Sequence, residues 1–309
     1  MMFEILDSLS LPGDPAKPNE DAFGHDAAAA VVLDGATPLG DSLMPGPSDA
    51  AWIAQFGARR LLAHLRDGEG ARKAVRGALA DAQKSFEALR RHAPEEMWQT
   101  PCASMMLAFC APSALRIASA ATGTSPASAH TRARGRVAGE DVVEFLWFGD
   151  CAALVQPEGG AVAVVGETFD KRAAEAKRAR AIAKEKNLSP ASGLSRPEFL
   201  DALRATRNRI NSGSYWLFSP DAKAASHAAR RVVKTAPGTK LLLASDGFLA
   251  LASDYGAYGA DSLMHAAAEK GLKALGEELR AIEAGDPGGD KFPRFKKSDD
   301  ATALLLKVS

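Results

Sequence analysis

Four apolar runs in this sequence end or begin at an acid. "VVLDG" reaches Asp34, "FLWFGD" reaches Asp150, and "KLLLASDG" reaches Asp246. "KKSDDATALLL" sets Asp299 and Asp300 just before a run. A carboxylate at the mouth of an apolar strand is costly unless something pairs with it. One Asp beside a Gly is ordinary turn chemistry. Acids at the ends of four strands lying side by side would converge, and converging carboxylates repel. Divalent cations relieve that repulsion, and an all-oxygen set suits Mg²⁺ or Mn²⁺ rather than Zn²⁺. "PNEDAFG" adds Glu20 and Asp21 in a polar segment, as outer contributors.

The elements that must position these acids are short. Strand-like runs cover 28–34, 104–110, 114–120, 142–148, 151–156 and 161–165. Later ones cover 215–219, 240–245 and 302–308; all are apolar or β-rich and bounded by turn residues. Helical spacing follows Ser48-Asp49, with Trp52, Ile53, Phe56 and Leu61 on one face. It returns over about 71–91 with Val75, Leu79, Ala82, Phe86 and Leu89. Residues 171–186 read as a solvated helix, and "SRPE" (195–198) as a capping box opening a helix to about 210. Further helices are expected over about 221–234 and 260–284.

Strands joined by short links, then helices, then strands again predict an α+β fold with antiparallel sheets, not a doubly wound parallel sheet. The whole chain, 1–309, reads as one domain. It has a polar, basic loop insertion near 121–141 and a flap-like helical excursion near 166–215.

Composition narrows the class. Lys+Arg and Asp+Glu number 38 each, so the formal net charge is zero. Nucleic-acid-binding domains usually carry a basic excess, so no nucleic-acid partner is expected. No run is long enough to span a bilayer, and the first residues lack the pattern of a secretory signal; no membrane partner and a cytoplasmic location are expected. Cys102, Cys110 and Cys151 fit no zinc or CxxC spacing and read as small buried hydrophobes. The six histidines are scattered without a metal-ligand pair.

The ordered set Asn19-Glu20-Asp21-Ala22, Val32-Leu33-Asp34-Gly35, Gly149-Asp150, Leu243-Ala244-Ser245-Asp246-Gly247-Phe248 and Ser298-Asp299-Asp300-Ala301-Thr302 resembles the PP2C (PPM) metal-dependent protein serine/threonine phosphatases. The elements span nearly the whole chain, and "LLLASDGF" is the most specific. The resemblance implies a four-layer αββα sandwich of two antiparallel sheets flanked by helices, with two Mn²⁺ or Mg²⁺ ions at one end. On that pattern Asp34 bridges the ions and Gly35 lends its carbonyl at an immediate turn. Asp246 and Asp299 complete one shell, while Glu20 and Asp21 reach the second ion mainly through water. Asp150 joins Asp246 at a third, weaker site, and Asp300 is not a direct ligand. The implied reaction is phosphomonoester hydrolysis on a phosphorylated protein substrate by a water bridging the two ions. That route needs no protein nucleophile.

The chain departs from the pattern in its substrate grip. Ala16 stands where an Arg often holds the phosphate; neighbouring Lys17 supplies a point charge without the bidentate fork. Ala36 stands where many relatives place a His, and Cys151 and Ala153 alter the turn after Asp150. These departures motivate the alternative of a catalytically weak or inactive regulatory module that binds a phosphoprotein. A haloacid-dehalogenase-type phosphatase is disfavoured because Ala36 replaces the second Asp its motif requires. A P-loop fails for want of Gly-Lys-Ser/Thr after Gly40.

Overall fold

A computed structural model describes residues 1–110, 141–167, 197–292, 294 and 296–309. Ten strands form two five-stranded antiparallel sheets. The first sheet is ordered β1 (Phe3–Leu11), β10 (Ala301–Val308), β9 (Lys240–Ala244), β6 (Ala152–Gln156), β7 (Ala163–Val165). The second is ordered β2 (Asp21–His25), β3 (Ala29–Gly35), β4 (Ala103–Cys110), β5 (Val142–Phe148), β8 (Ala229–Lys234).

Side-chain alternation along each strand builds the layers. On β3, Ala30 and Val32 face the opposite sheet, where they meet Leu241, Leu243, Leu304 and Leu306. Val31 and Leu33 point the other way, into a cluster with α1 (Asp49–Arg66) and α2 (Ala71–Leu89). On β10, Leu304 and Leu306 face the sandwich interior, whereas Ala303 and Leu305 meet the helices of the far side. Those helices are α4 (Asp246–Ser253), α5 (Ala260–Lys270) and α6 (Leu272–Gly285). The result is the expected αββα sandwich. Central strands are apolar on both faces because both faces are covered. Val31, Val32 and Leu33 are each fully buried, and each such side chain contributes roughly 1.5–3 kcal/mol.

Several elements differ from the sequence reading. The helix expected over 260–284 is two, broken at Gly271, whose φ of +83° leaves the helical region. The helix expected over 221–234 is a short 3-10 segment, Ala222–His227, followed by strand β8. There Val233 packs on the sandwich core and Arg230 pairs with Glu144 of β5, so edge pairing overrides the helical pattern. Residues 215–219 are not a ladder strand; the segment meets the sheet at the Ala103–Phe218 bridge. Strands β1 and β2 went unread because both mix polar residues into short apolar alternation. Helix α3 (Pro197–Arg207) lies within the anticipated helix to 210. The strand at 114–120, nearly all of the 121–141 loop, the 171–186 helix and the Ser195 cap lie outside the described residues.

Candidate metal centre

One end of the sandwich gathers the acids. β2 and β3 pair so that Asp21 stands directly opposite Asp34, and Asp34 opposite Ser104 on β4. Asp150 follows β5, and Asp246 opens α4 immediately after β9. Asp34, Asp150 and Asp246 each offer a carboxylate oxygen, and these oxygens lie within 4.8 Å of one another.

Two glycines allow the approach. A Cβ on Gly35 would sit 2.5 Å from the Ala50 carbonyl oxygen and 2.6 Å from that of Glu20. Gly35 does not turn the chain, contrary to the sequence expectation. It remains in β3 paired with Ala103, and its N–H donates to the Glu20 carbonyl at 3.0 Å. Gly247 lets the Asp300 carbonyl pack onto the first turn of α4, where a Cβ would collide with it. This contact sets Asp246 beside the Asp299-Asp300 segment.

The surrounding polar groups orient individual acids. Ser245 Oγ donates to Asp21 Oδ2 at 2.8 Å, but Asp21 Oδ1 is buried and has no hydrogen-bond partner among the described residues. Ser104 Oγ donates to Asp150 Oδ1 at 2.6 Å. Glu20 accepts from Thr37 Oγ1 and Ser48 Oγ, both at 2.5 Å. Asp300 accepts the amides of Gly13 at 2.7 Å and Glu20 at 2.6 Å, so it staples the N-terminal loop to the site. Arg280 of α6 donates to the carbonyls of Leu11, Pro12 and Asp299, fixing the backbone on either side.

Asp299 does not join the trio. Its Oδ1 accepts from Lys296 Nζ at 2.6 Å and from the Asp300 amide at 3.0 Å. Lys17 lines the same groove, a cavity of about 770 Å³, but its side chain is 76% exposed and its Nζ lies 3.7 Å from Asp14. The sequence reading missed Lys296, Ser245, Ser104, Thr37 and Ser48. The three-residue spacing from Lys296 to Asp299 was the one available signal for the first.

The electrostatics are those of crowded, desolvated acids. Burial pushes the Asp34 carboxyl well above its ordinary range, and the charges of Asp246, Asp21, Asp299 and Asp150 push it further. Burial likewise lifts Asp21 to about 8 against the donated Ser245 hydrogen bond, with Asp299, Asp300 and Asp246 adding to the rise. Burial alone would depress the Lys296 ammonium, yet Asp299, Asp34 and Glu20 outweigh it and hold the lysine protonated. The Cys151 thiol is pushed up by burial and then by Asp34, Asp150, Asp21 and Asp246, so it is no thiolate nucleophile. Cys102, Cys110 and Cys151 are all buried.

The donor set fits a hard divalent cation. It is all oxygen, it carries a buried carboxylate oxygen with no partner among the described residues, and burial holds Asp34 and Asp21 back from ionising. Next to it, α3 fastens the segment that follows Gly35. Arg207 Nη1 donates to the Thr37 carbonyl at 2.7 Å, and Arg204 Nη2 to that of Leu39 at 2.7 Å. Arg204 also lies over the Trp98 ring, 4.3 Å from its centroid. Residues 168–196 of the expected flap lie outside the described residues. No described helix is long and apolar enough to cross a membrane.

No family model matches the chain, and no curated protein matches it in sequence. Solved structures do. The Mycobacterium tuberculosis serine/threonine phosphatase PstP/Ppp aligns over 100% of both chains at 15% identity with a TM-score of 0.54. A PstP catalytic domain in complex with two manganese ions aligns over 99% of this chain and 98% of that one, at 16% identity and a TM-score of 0.50. The PPM phosphatase MsPP from Mycobacterium smegmatis, in complex with cacodylate, aligns over 99% of each at 14% identity and a TM-score of 0.50. At such identities the likeness is one of fold: the chain has the fold of bacterial PP2C (PPM) serine/threonine phosphatases.

Proposed function

We propose that the chain is a single-domain, metal-dependent phosphomonoester hydrolase acting on phosphoserine or phosphothreonine in proteins. The observation that carries this reading is the pairing of Asp21 with Asp34 at the sheet end, with a buried Asp21 oxygen that no described residue satisfies. Asp34, Asp246 and Asp299 are the principal carboxylates, and Asp150, Asp21, Glu20 and the Gly35 carbonyl are the supporting oxygens. Two Mn²⁺ or Mg²⁺ ions, when bound, supply charge for the phosphoryl group and make water a nucleophile near neutral pH.

The chain's own residues supply position. Ser245 and Ser104 hold Asp21 and Asp150 at fixed angles, and Thr37 and Ser48 hold Glu20. Such preset orientation keeps the cost of reorganisation out of the reaction. Lys17 at the groove rim is the assigned contact for the substrate phosphate. It acts as a point charge, so it lends attraction without a bidentate geometry.

A second reading, a catalytically weak or inactive regulatory module that binds a phosphoprotein, draws on the Lys296–Asp299 ion pair. Hydrolysis of p-nitrophenyl phosphate and of a phosphothreonine peptide with and without Mn²⁺ separates the two. Mn²⁺-dependent turnover that Asp246→Asn reduces by at least about 100-fold is expected. No turnover in the wild type, or equal turnover in the variant, would overturn the enzyme reading.

A further inference from the structure

Lys296 occupies an unusual place for a cation. Its ammonium lies 2.6 Å from Asp299 Oδ1, and both side chains are largely withdrawn from water, at 31% and 28% exposure. The pair lines the groove that also holds Glu20, Thr37 and Ser48. The backbone around it is pinned. Arg280 holds the Asp299 carbonyl, and Asp300 holds the amides of Gly13 and Glu20. With Asp299 and Asp300 held, the three-residue spacing delivers the ammonium to the carboxylate without help from another element. The same contact engages Asp299, whose oxygens are not in the group that Asp34, Asp150 and Asp246 form.

Building on the metal centre proposed above, we infer that Lys296 is a tethered cation that competes with the divalent ion for Asp299. In the metal-free chain the ammonium neutralises Asp299 and steadies the acid cluster. A divalent ion at the same carboxylate meets the ammonium's charge a few ångströms away and binds best by displacing it, because like charges so close repel. Displacement draws on binding energy, so the chain binds its metal less tightly than the same acids would without the lysine. No bond is made or broken; the ammonium stays protonated and moves within the groove.

The test is Mn²⁺ titration by calorimetry of the full chain, wild type against Lys296→Met and Lys296→Arg, with thermal melting of each in EDTA. Competition predicts that Lys296→Met binds Mn²⁺ about tenfold more tightly and melts at a lower temperature in EDTA, while Lys296→Arg stays within about twofold of wild type. Lys296→Gln gives the same comparison if the methionine variant does not fold. Equal or weaker Mn²⁺ binding in the neutral variants overturns the inference and makes Lys296 a support for the site. Absence of Mn²⁺ binding in every protein, wild type included, overturns the metal centre itself and this inference with it.

Discussion

Asp21 and Asp34 face each other across the β2–β3 ladder at the open end of the sandwich, and one oxygen of Asp21 is buried without a partner among the described residues. Like charges directly opposite on neighbouring strands are destabilising. The fold holds them there through Ser245, which grips the other oxygen of Asp21, and through the apolar packing of Val31, Val32 and Leu33 behind Asp34.

That pair makes the metal-free protein sensitive to pH. Asp21 titrates near 8 in the folded chain against 3.8 for an ordinary Asp. Between those values the folded state holds more protons than the unfolded one, so stability falls as pH rises and the loss is complete above about 8. Melting in EDTA from pH 5 to 9 should show a falling Tm, and Asp21→Asn should flatten the slope. A Tm that climbs across this range would contradict the placement of the acids.

Gly35 is required by space. The added Cβ in Gly35→Ala meets two backbone carbonyls that cannot swing away, so a loss of about 3 kcal/mol or more is expected in urea unfolding. Gly285 ends α6 with nothing within 4 Å of a built Cβ, and Gly285→Ala should stabilise by roughly 0.5–1 kcal/mol. Equal effects from the two substitutions would mean that the close approach at Gly35 is absent.

Asp300 works through backbone amides. Asp300→Ala strands the N–H groups of Gly13 and Glu20, and a loss of roughly 2–4 kcal/mol is expected, since hydrogen bonds to a charged group exceed neutral ones. Hydrogen exchange should quicken first at residues 13–20. A variant as stable as wild type, with unchanged exchange there, would remove the staple.

Much of this protein is legible in its letters. "AAAVVLD", "SMMLAFC" and "TALLLKV" are apolar on both faces, and such runs have few homes except a covered sheet; α1 and α2 show their buried faces in plain helical spacing. Acids stand at the ends of two of those runs, and the ordered set they belong to carries the resemblance that implied the αββα sandwich.

Other features depend on partners far away in sequence. β8 reads as a helix until β5 offers it an edge. Gly35 looks like a turn residue until Ala50 and Glu20 crowd it. Asp299, grouped by sequence with Asp34 and Asp246, meets Lys296 in space, while Asp150 brings a carboxylate oxygen within 4.8 Å of those of Asp34 and Asp246. By itself the sequence determined which residues are apolar, which are acidic and at what period they recur, because those properties are local. Which carboxylates meet, and which cation meets them first, only the tertiary structure decided, because contact and desolvation arise when strands more than 200 residues apart are brought together, as Ser245 is with Asp21.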